Sequence, residues 1–452
     1  MEQNQREKFD PVRTFLMMQP DRRGKLITGI AMSACLFLYL MTVMGFAATP
    51  VVAVVAVLCY AGMVYAAYAS LKKENMIIYL TSGLFLALGI IAHLTLLTVQ
   101  SGRFARQLSP MLESMWNYDL LTAMAWEDGS WSGGYLLIMG LISRLEVFPT
   151  LYAIKLVNLV FIAASAVAVQ RLYLLTGERK PLGSVLVMGI SVLAMTVLLN
   201  NGAWAHCDAI FAAFSLWGLY FLLSAHPLAG CIFWGLAVGF KLQAAFLFPL
   251  LIPLFMERKV SIRHLLAGFA AFLALHIPML LDGQSLLSIL ARYNEQILTV
   301  AYEGAGLTDN VPNVFGLMNI ASVREFSGMG LFFGLFVALI LAIAMVRKGP
   351  LETRTWLRCA ILLAFGLPMI LPQMNVRVFY LAFLLALADA KDIRGIAVAA
   401  VIETVSLMSY MAGLFGATVI PLIPLSIVTF IFTLYLIISV FSGKNEAVNG
   451  QP

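Results

Sequence analysis

Five short clusters gather the unusual polar residues of this chain. They are Ser101-Gly102-Arg103, Trp204-Ala205-His206-Cys207-Asp208, Lys241-Leu242-Gln243, the stretch from Tyr293 to Asn313 with Gln296 inside it, and Met374-Asn375-Val376-Arg377 with Tyr380 close behind. Arg103 and Arg377 each offer a planar fork of donors suited to a phosphate or pyrophosphate, although an Arg near a helix end also snorkels to water. Asp208 and Lys241 stand within apolar surroundings, where an ionisable group faces a cavity, a partner or a ligand. They also suit one another as a structural ion pair, and the sequence leaves both readings open. His206 suits donation to a phosphate, acceptance of a proton near neutral pH, or a plain interfacial hydrogen bond. Trp116, Trp126 and Trp131 suit stacking on a sugar as well as an aromatic belt. The chemistry these residue types share is the binding of an anionic group with a proton-transfer partner close by.

The elements that must position them are membrane helices. With 61% hydrophobic residues, 12% charged and a mean hydropathy of +0.92, the composition excludes an ordinary soluble protein. A spanning helix takes about 20 apolar residues. Such runs recur from Ile27 to Phe441, with two long polar interruptions, Gln100 to Ser132 and Asp282 to Glu325. The pattern predicts an all-α, polytopic transmembrane protein of about 12–14 membrane segments, with an uncleaved first helix and both termini inside.

The divisions are a cytoplasmic tail over 1–26, an extra transmembrane hairpin over 27–75, a main module over 76–392 with outer loops 99–149 and 282–327, a C-terminal hairpin over 393–442, and a cytoplasmic tail over 443–452. Lys72-Lys73, Arg179-Lys180, Arg258-Lys259, Arg347-Lys348 and Lys391 with Arg394 then fall in inner loops, as the positive-inside rule requires. All five polar clusters fall on the non-cytoplasmic face. In the first outer loop, Phe104 to Trp126 is predicted as an interfacial amphipathic helix, with Leu108, Met111, Leu112, Met115, Trp116 and Leu120 apart from Arg106, Glu113 and Asp119. Segments 229–241 and 242–255 are placed as a tight pair of crossings, but each is short for one, and a re-entrant hairpin tipped by Lys241 and Gln243 is the other reading.

Several classes are set aside. Cys35, Cys59, Cys207, Cys231 and Cys359 lack metal-ligand or CxxC spacing and read as packing residues. The net charge of +6 resides in loops, so no nucleic-acid partner is expected. No Walker, Rossmann or HExxH motif occurs, so neither a cofactor nor a divalent metal is indicated. His93, His226, His264, Glu403 and Asn158 read as structural.

At the polar clusters the sequence resembles the GT-C superfamily of membrane glycosyltransferases, and most closely the bacterial relatives of the glycosylphosphatidylinositol mannosyltransferase II family. That family's Ser-Gly-Asp with a following Leu-x-Pro is similar to Ser101, Gly102, Arg103, Leu108 and Pro110. Its Trp-Gly-Gln-x-Asp is similar to Trp204–Asp208, and its Gly-Leu-Ala-x-x-Phe-Lys-x-Gln to Gly235, Leu236, Ala237, Phe240, Lys241 and Gln243, with Pro249 following. Its Pro-Asn resembles Pro312-Asn313, and its Met-His-Glu-Arg-Tyr-Phe-Tyr resembles Met374, Arg377, Phe379 and Tyr380. The resemblance covers roughly 100–390. It implies a GT-C-like fold and a hexosyltransferase, mannosyltransferase-like, that moves a sugar from a polyprenyl-phosphate carrier to a glycan, lipid or cell-envelope acceptor. Membrane lipids, and a membrane protein, are the other partners it suggests.

Arg103 stands where the family places its acidic base, and a guanidinium cannot accept a proton. Glu113, Asp119, Glu127, Asp128 or Asp208 is available as a substitute; otherwise the acceptor is an anion held by Arg103, or the fold binds a lipid-linked saccharide or partner enzyme without catalysis. The expected site therefore has Asp208, Glu113 and Asp119 as catalytic candidates. Its binding residues are Arg103, Trp204, His206, Lys241, Gln243, Tyr293, Gln296, Asn313, Arg377 and Tyr380. A transporter or flippase for lipid-linked saccharides is the competing class, since intramembrane Lys and Asp also mark translocation paths. The outer loops hold no Asn-x-Ser/Thr sequon, which favours a bacterial plasma membrane.

Overall fold

The structure, a computed structural model, describes residues 20–71, 74, 76–102, 104–126, 131–145, 149–177, 180–298, 307–318 and 323–442, and every regular element among them is helical. Among the described residues nine helices are long and apolar enough to cross a membrane. Met329, Phe332 and Leu335 on one of them, and Ile423, Ile431 and Ile438 on another, are exposed. Such apolar outer faces suit hydrocarbon, and the chain is a multi-pass membrane protein.

Contacts divide the chain into two compact units, Met1–Ile91 and Ala92–Pro452. The division falls inside helix Met76–Thr95, later than the hairpin boundary expected at 75. The first unit is tied by tyrosine hydroxyls. Tyr60 donates to the carbonyls of Ser33 (3.2 Å) and Gly83 (3.1 Å), while the Tyr68 hydroxyl meets Ser33 Oγ and the Tyr79 carbonyl.

In the second unit, helices Asp208–Leu223 and Pro227–Phe240 form an antiparallel hairpin. Its turn runs through Ala225, whose φ of 64° reverses the chain, and Pro227 starts the return helix. Trp234 Nε1 donates to the Ser215 carbonyl (3.0 Å) across the pair. Asp208 therefore opens one helix at the end where Lys241 closes the other, which puts an anion at an N-terminus and a cation at a C-terminus. At 16 and 14 residues the helices are about 24 and 21 Å long, short of a hydrocarbon core of about 30 Å.

Helix Pro227–Phe240 packs against helix Ile262–Ala274 through Gly235 and Gly268, where a Cβ on Gly235 would fall 1.9 Å from the Gly268 carbonyl oxygen. Small residues let membrane helices approach this closely. After extended Lys241 the chain resumes as a 3-10 segment, Leu242–Leu250, and brings the Phe248 ring back to 6.3 Å from that of Trp234. That reversal puts Lys241 and Gln243 at a hairpin tip.

Several predicted helices are interrupted. The Phe104–Trp126 stretch is a π-helical turn followed by Ser109–Trp116 and Leu120–Met124, because the Asp119 carboxylate accepts from the amides of Leu121 (2.9 Å) and Thr122 (3.1 Å) and starts a new helix. Helix Gly133–Ile142 occupies ground read as loop. Helix Ile262–Ala274 gives way after a short turn to the separate Ile277–Leu281, which has Pro278 in its first turn. Between Thr353–Ile370 and Tyr380–Ala388 the chain unwinds over 371–379, the segment that carries Arg377. A further break falls at Ala194, between Pro181–Leu193 and Met195–Gly202.

Free backbone groups in a membrane need internal partners, and buried polar side chains supply them. Lys155 donates to the carbonyls of Leu96, Val99 and Gly202. Asn158 donates to the His206 carbonyl (2.8 Å), and Glu403 accepts from Thr196 N (3.1 Å) and Oγ1 (2.6 Å). His93 Nε2 meets the Val192 carbonyl (3.1 Å). His93, Asn158 and Glu403, read from the sequence as structural, are thus engaged in bonds to backbone or to Thr196, and Lys155, which that reading did not include, is engaged likewise.

Two substitutions probe this scaffold through the thermal midpoint in detergent. Lys155→Met strips the shared donor from three carbonyls, of which that of Leu96 keeps the Val99 amide (3.1 Å), and should cost about 2–3 kcal/mol. Gly235→Val should cost about 1–3 kcal/mol by forcing the two helices apart.

Candidate functional site: a buried charge cluster beneath a polar cavity

The hairpin end and the unwound 371–379 segment meet at Asp208. Its side chain is fully buried, and both carboxylate oxygens are engaged. Oδ1 pairs with the Lys241 ammonium and lies 3.4 Å from His206 Nδ1. Oδ2 accepts from Asn200 Nδ2 at 2.7 Å and lies 3.2 Å from Arg377 Nε, an ion pair that lacks the alignment of a hydrogen bond. Asn200 Nδ2 also reaches the Tyr410 hydroxyl at 3.1 Å. Lys241 lies over the Phe211 ring (5.3 Å) and Arg377 over Trp204 (5.3 Å). Trp204 in turn packs edge-on against Tyr410, with ring centroids 4.7 Å apart. Two fixed cations share one carboxylate, so the cluster carries a surplus positive charge.

Above it opens a cavity of about 270 Å³. Arg377, Trp204, Arg106 and Asp309 line it, together with Ser101-Gly102, Asn310, Asn375-Val376 and the 412–414 stretch. Arg377 is only 4% exposed, yet it reaches this space. Arg106 is steadied by its Nε bond to the Gly102 carbonyl (3.1 Å). A buried guanidinium and a second arginine lining the same polar cavity make a site for an anion the size of a phosphate.

The backbone around the cavity is bent into unusual conformations. Ala205, Asn310 and Gln373 have φ of 52°, 55° and 58°. Left-handed conformations at non-glycine residues cost about 1–3 kcal/mol each and cluster at working sites. They are held here by specific bonds: Gln373 N to the Leu307 carbonyl (2.7 Å), Asp309 N to the Met374 carbonyl (3.4 Å), and Ala205 N to the Asn201 carbonyl (3.1 Å).

The expected residues divide clearly. Asp208, His206, Lys241, Trp204 and Arg377 converge, but Asp208 lies beneath the cavity and anchors the two cations rather than facing a ligand. Gln243 sits beside Lys241 in the chain with its Oε1 buried and unbonded. Tyr380 is buried at the start of its helix. Asn313 caps a 3-10 turn through Phe315 N and Gly316 N (both 3.1 Å). Tyr293 is taken up by His276 Nε2 (3.0 Å) and the Gly239 carbonyl (3.2 Å). Glu113 is exposed and accepts from Ser109 Oγ (3.0 Å). Asp119 is likewise exposed, its carboxyl held below the usual range by hydrogen bonds from Thr122 and Leu121. Neither lines the cavity. Arg103, Glu127, Asp128 and the Gln296 side chain lie outside the described residues.

Arg106, Asn200, Asp309 and Tyr410 are the site residues that the sequence did not single out. Only Arg106 and Asp309 left a signal there, as charges in two loops otherwise read for their apolar face and their asparagines. His206, Cys207 and Asp208 bring donor atoms within 4.8 Å of one another. Asp208 Oδ1 already holds an ammonium group, however, and that charge opposes a metal ion at the same oxygen.

Asp208→Asn should cost about 3–5 kcal/mol, because Lys241 and Arg377 remain buried without their counter-ion. In Asp208→Asn/Lys241→Met part of that loss should return, a coupling readable from thermal midpoints in a double-mutant cycle.

No protein-family model matches this chain, and no curated protein matches it either.

Proposed function

We propose that this chain is a GT-C-like membrane glycosyltransferase, which moves a sugar from a polyprenyl-phosphate-linked donor to an acceptor on the non-cytoplasmic face. The observation that carries the reading is the pairing of Arg377 with Arg106 around a polar cavity sunk among membrane helices. A lipid-linked sugar phosphate needs both halves of that arrangement, a hydrocarbon environment for the prenyl chain and fixed cations for the phosphate. As the sugar leaves, charge builds on the phosphate, and donors already in place stabilise it without reorganising. Lys241 acts one step back, by neutralising Asp208 so that Arg377 keeps a net charge for the ligand. Trp204 offers an aromatic surface beneath it.

A local detail supports the resemblance. The Gly of the family's Trp-Gly-Gln-x-Asp coincides with Ala205, which has φ of 52°, a conformation that glycine adopts at least cost.

A second reading is favoured by the breaks at Ala194, Lys241 and 371–379. Discontinuous helices around a polar site also build transporters, and a flippase for lipid-linked saccharides would use the same cations.

Purified full-length protein supplied with radiolabelled undecaprenyl-phosphate hexoses separates the readings. Label in a new product is expected, and Arg377→Ala should lower kcat/KM by about 10²-fold or more. Label that crosses a proteoliposome without changing its covalent attachment would favour the flippase, and retention alone would favour a binding subunit.

A further inference from the structure

The cavity wall contains one carboxylate among the described residues, that of Asp309. Its place is fixed from several directions. Asp309 N donates to the Met374 carbonyl (3.4 Å) and Gln373 N to the Leu307 carbonyl (2.7 Å), which staples this stretch to the unwound segment bearing Arg377. Thr308 Oγ1 closes the loop by donating to the Val311 carbonyl (2.6 Å) and accepting from Val311 N (3.1 Å). Asn310, next in the chain, has the left-handed φ of 55°. Among the described residues Arg106 and Arg377 are the charged groups that share the cavity with Asp309; Trp204, Ala412, Gly413 and Leu414 bring none.

Transfer to a hydroxyl group needs a proton acceptor within the site. The two guanidinium groups cannot serve, and Asp208 is enclosed beneath the cavity with both oxygens engaged. We propose that Asp309 is the general base, and that the acceptor is therefore a neutral hydroxyl compound rather than a phosphate or carboxylate. The inference rests on the transferase reading above. The acceptor O–H proton passes to an Asp309 carboxylate oxygen while the acceptor oxygen bonds to the anomeric carbon. The bond from that carbon to the phosphate oxygen breaks, its electron pair leaves with the polyprenyl phosphate, and Arg377 and Arg106 take up the added negative charge. An anionic acceptor would meet the Asp309 charge at the place where it must enter.

The test uses the full chain in proteoliposomes, radiolabelled undecaprenyl-phosphate hexoses as donors, and octyl glycosides or octyl phosphate as acceptors. Unsubstituted protein should label the octyl glycoside in preference to octyl phosphate. Asp309→Asn should lower kcat by about 10²-fold or more, leave undecaprenyl phosphate bound at least as tightly, since a like charge is removed from its cavity, and abolish the acidic limb of the kcat–pH profile; Asp309→Glu should restore part of the rate. A merely structural role would leave the acidic limb in place. Transfer that survives Asp309→Asn at full rate, or a preference for octyl phosphate, overturns the assignment while the transferase reading stands. Absence of label transfer by unsubstituted protein to either acceptor sinks both.

Discussion

One carboxylate between two cations organises the second unit of this protein. Asp208 and Lys241 lie 33 residues apart in sequence, and the antiparallel hairpin between them brings a helix N-terminus and a helix C-terminus to the same depth. The helix dipoles favour this placement of charge, and the pair then recruits Arg377 from an unwound segment. Buried charge in a membrane is costly unless paired. Here the pairing is incomplete by one unit of charge, and the excess lies at the lining of a cavity that opens above it.

The rest of the scaffold serves the broken backbone. A chain that interrupts its helices at Ala194, Lys241 and 371–379 frees backbone groups that lipid cannot satisfy. Lys155, Asn158 and Glu403 are therefore not stray polar residues in apolar helices; each binds backbone freed at one of the breaks or helix ends. Lys155 also joins the segment leading to Ser101 and Gly102 with the helix end before Trp204, two parts of the cavity lining. The same layering recurs at the other ends of the helices that flank 371–379. There Arg354 and Arg358 share Asp389 (Arg358 Nε to Oδ2 is 3.0 Å), and Arg354 reaches Asp392 at 2.8 Å. Asp392, held below the usual carboxylate range by the Gly395 amide and Arg354 against the effect of burial, caps helix Ile393–Phe415.

Hydropathy alone made the membrane class legible, because a bilayer demands long apolar helices and little else resembles them. The convergence of Asp208, Lys241 and Arg377 was also readable, since ionisable residues at the ends of apolar segments have few tolerable positions. Short helices were harder. Gly133–Ile142 has only ten residues, too few for the hydropathy of a span, and so merged into a loop. The stretch from Phe104 kept its apolar spacing through a break that only the capping by Asp119 reveals. Tyr293 and Asn313 looked like ligand-binding groups by type, yet both are consumed by neighbours, a distinction made by tertiary contacts. Asp309 went unmarked for the converse reason: one of several acidic residues in a polar loop carries no periodicity, and only the hydrogen bonds between its stretch and 373–374 place it in the same cavity as Arg377.

A cryo-electron microscopy structure of the full chain with undecaprenyl phosphate would bear hardest on the idea that the charge surplus around Asp208 exists to hold a lipid-borne phosphate. The expected density has the phosphate within hydrogen-bonding reach of Arg377 and Arg106, with Asp208 still between Lys241 and Arg377. A phosphate seated elsewhere, or an Arg377 guanidinium turned away from the cavity with the lipid bound, would contradict it.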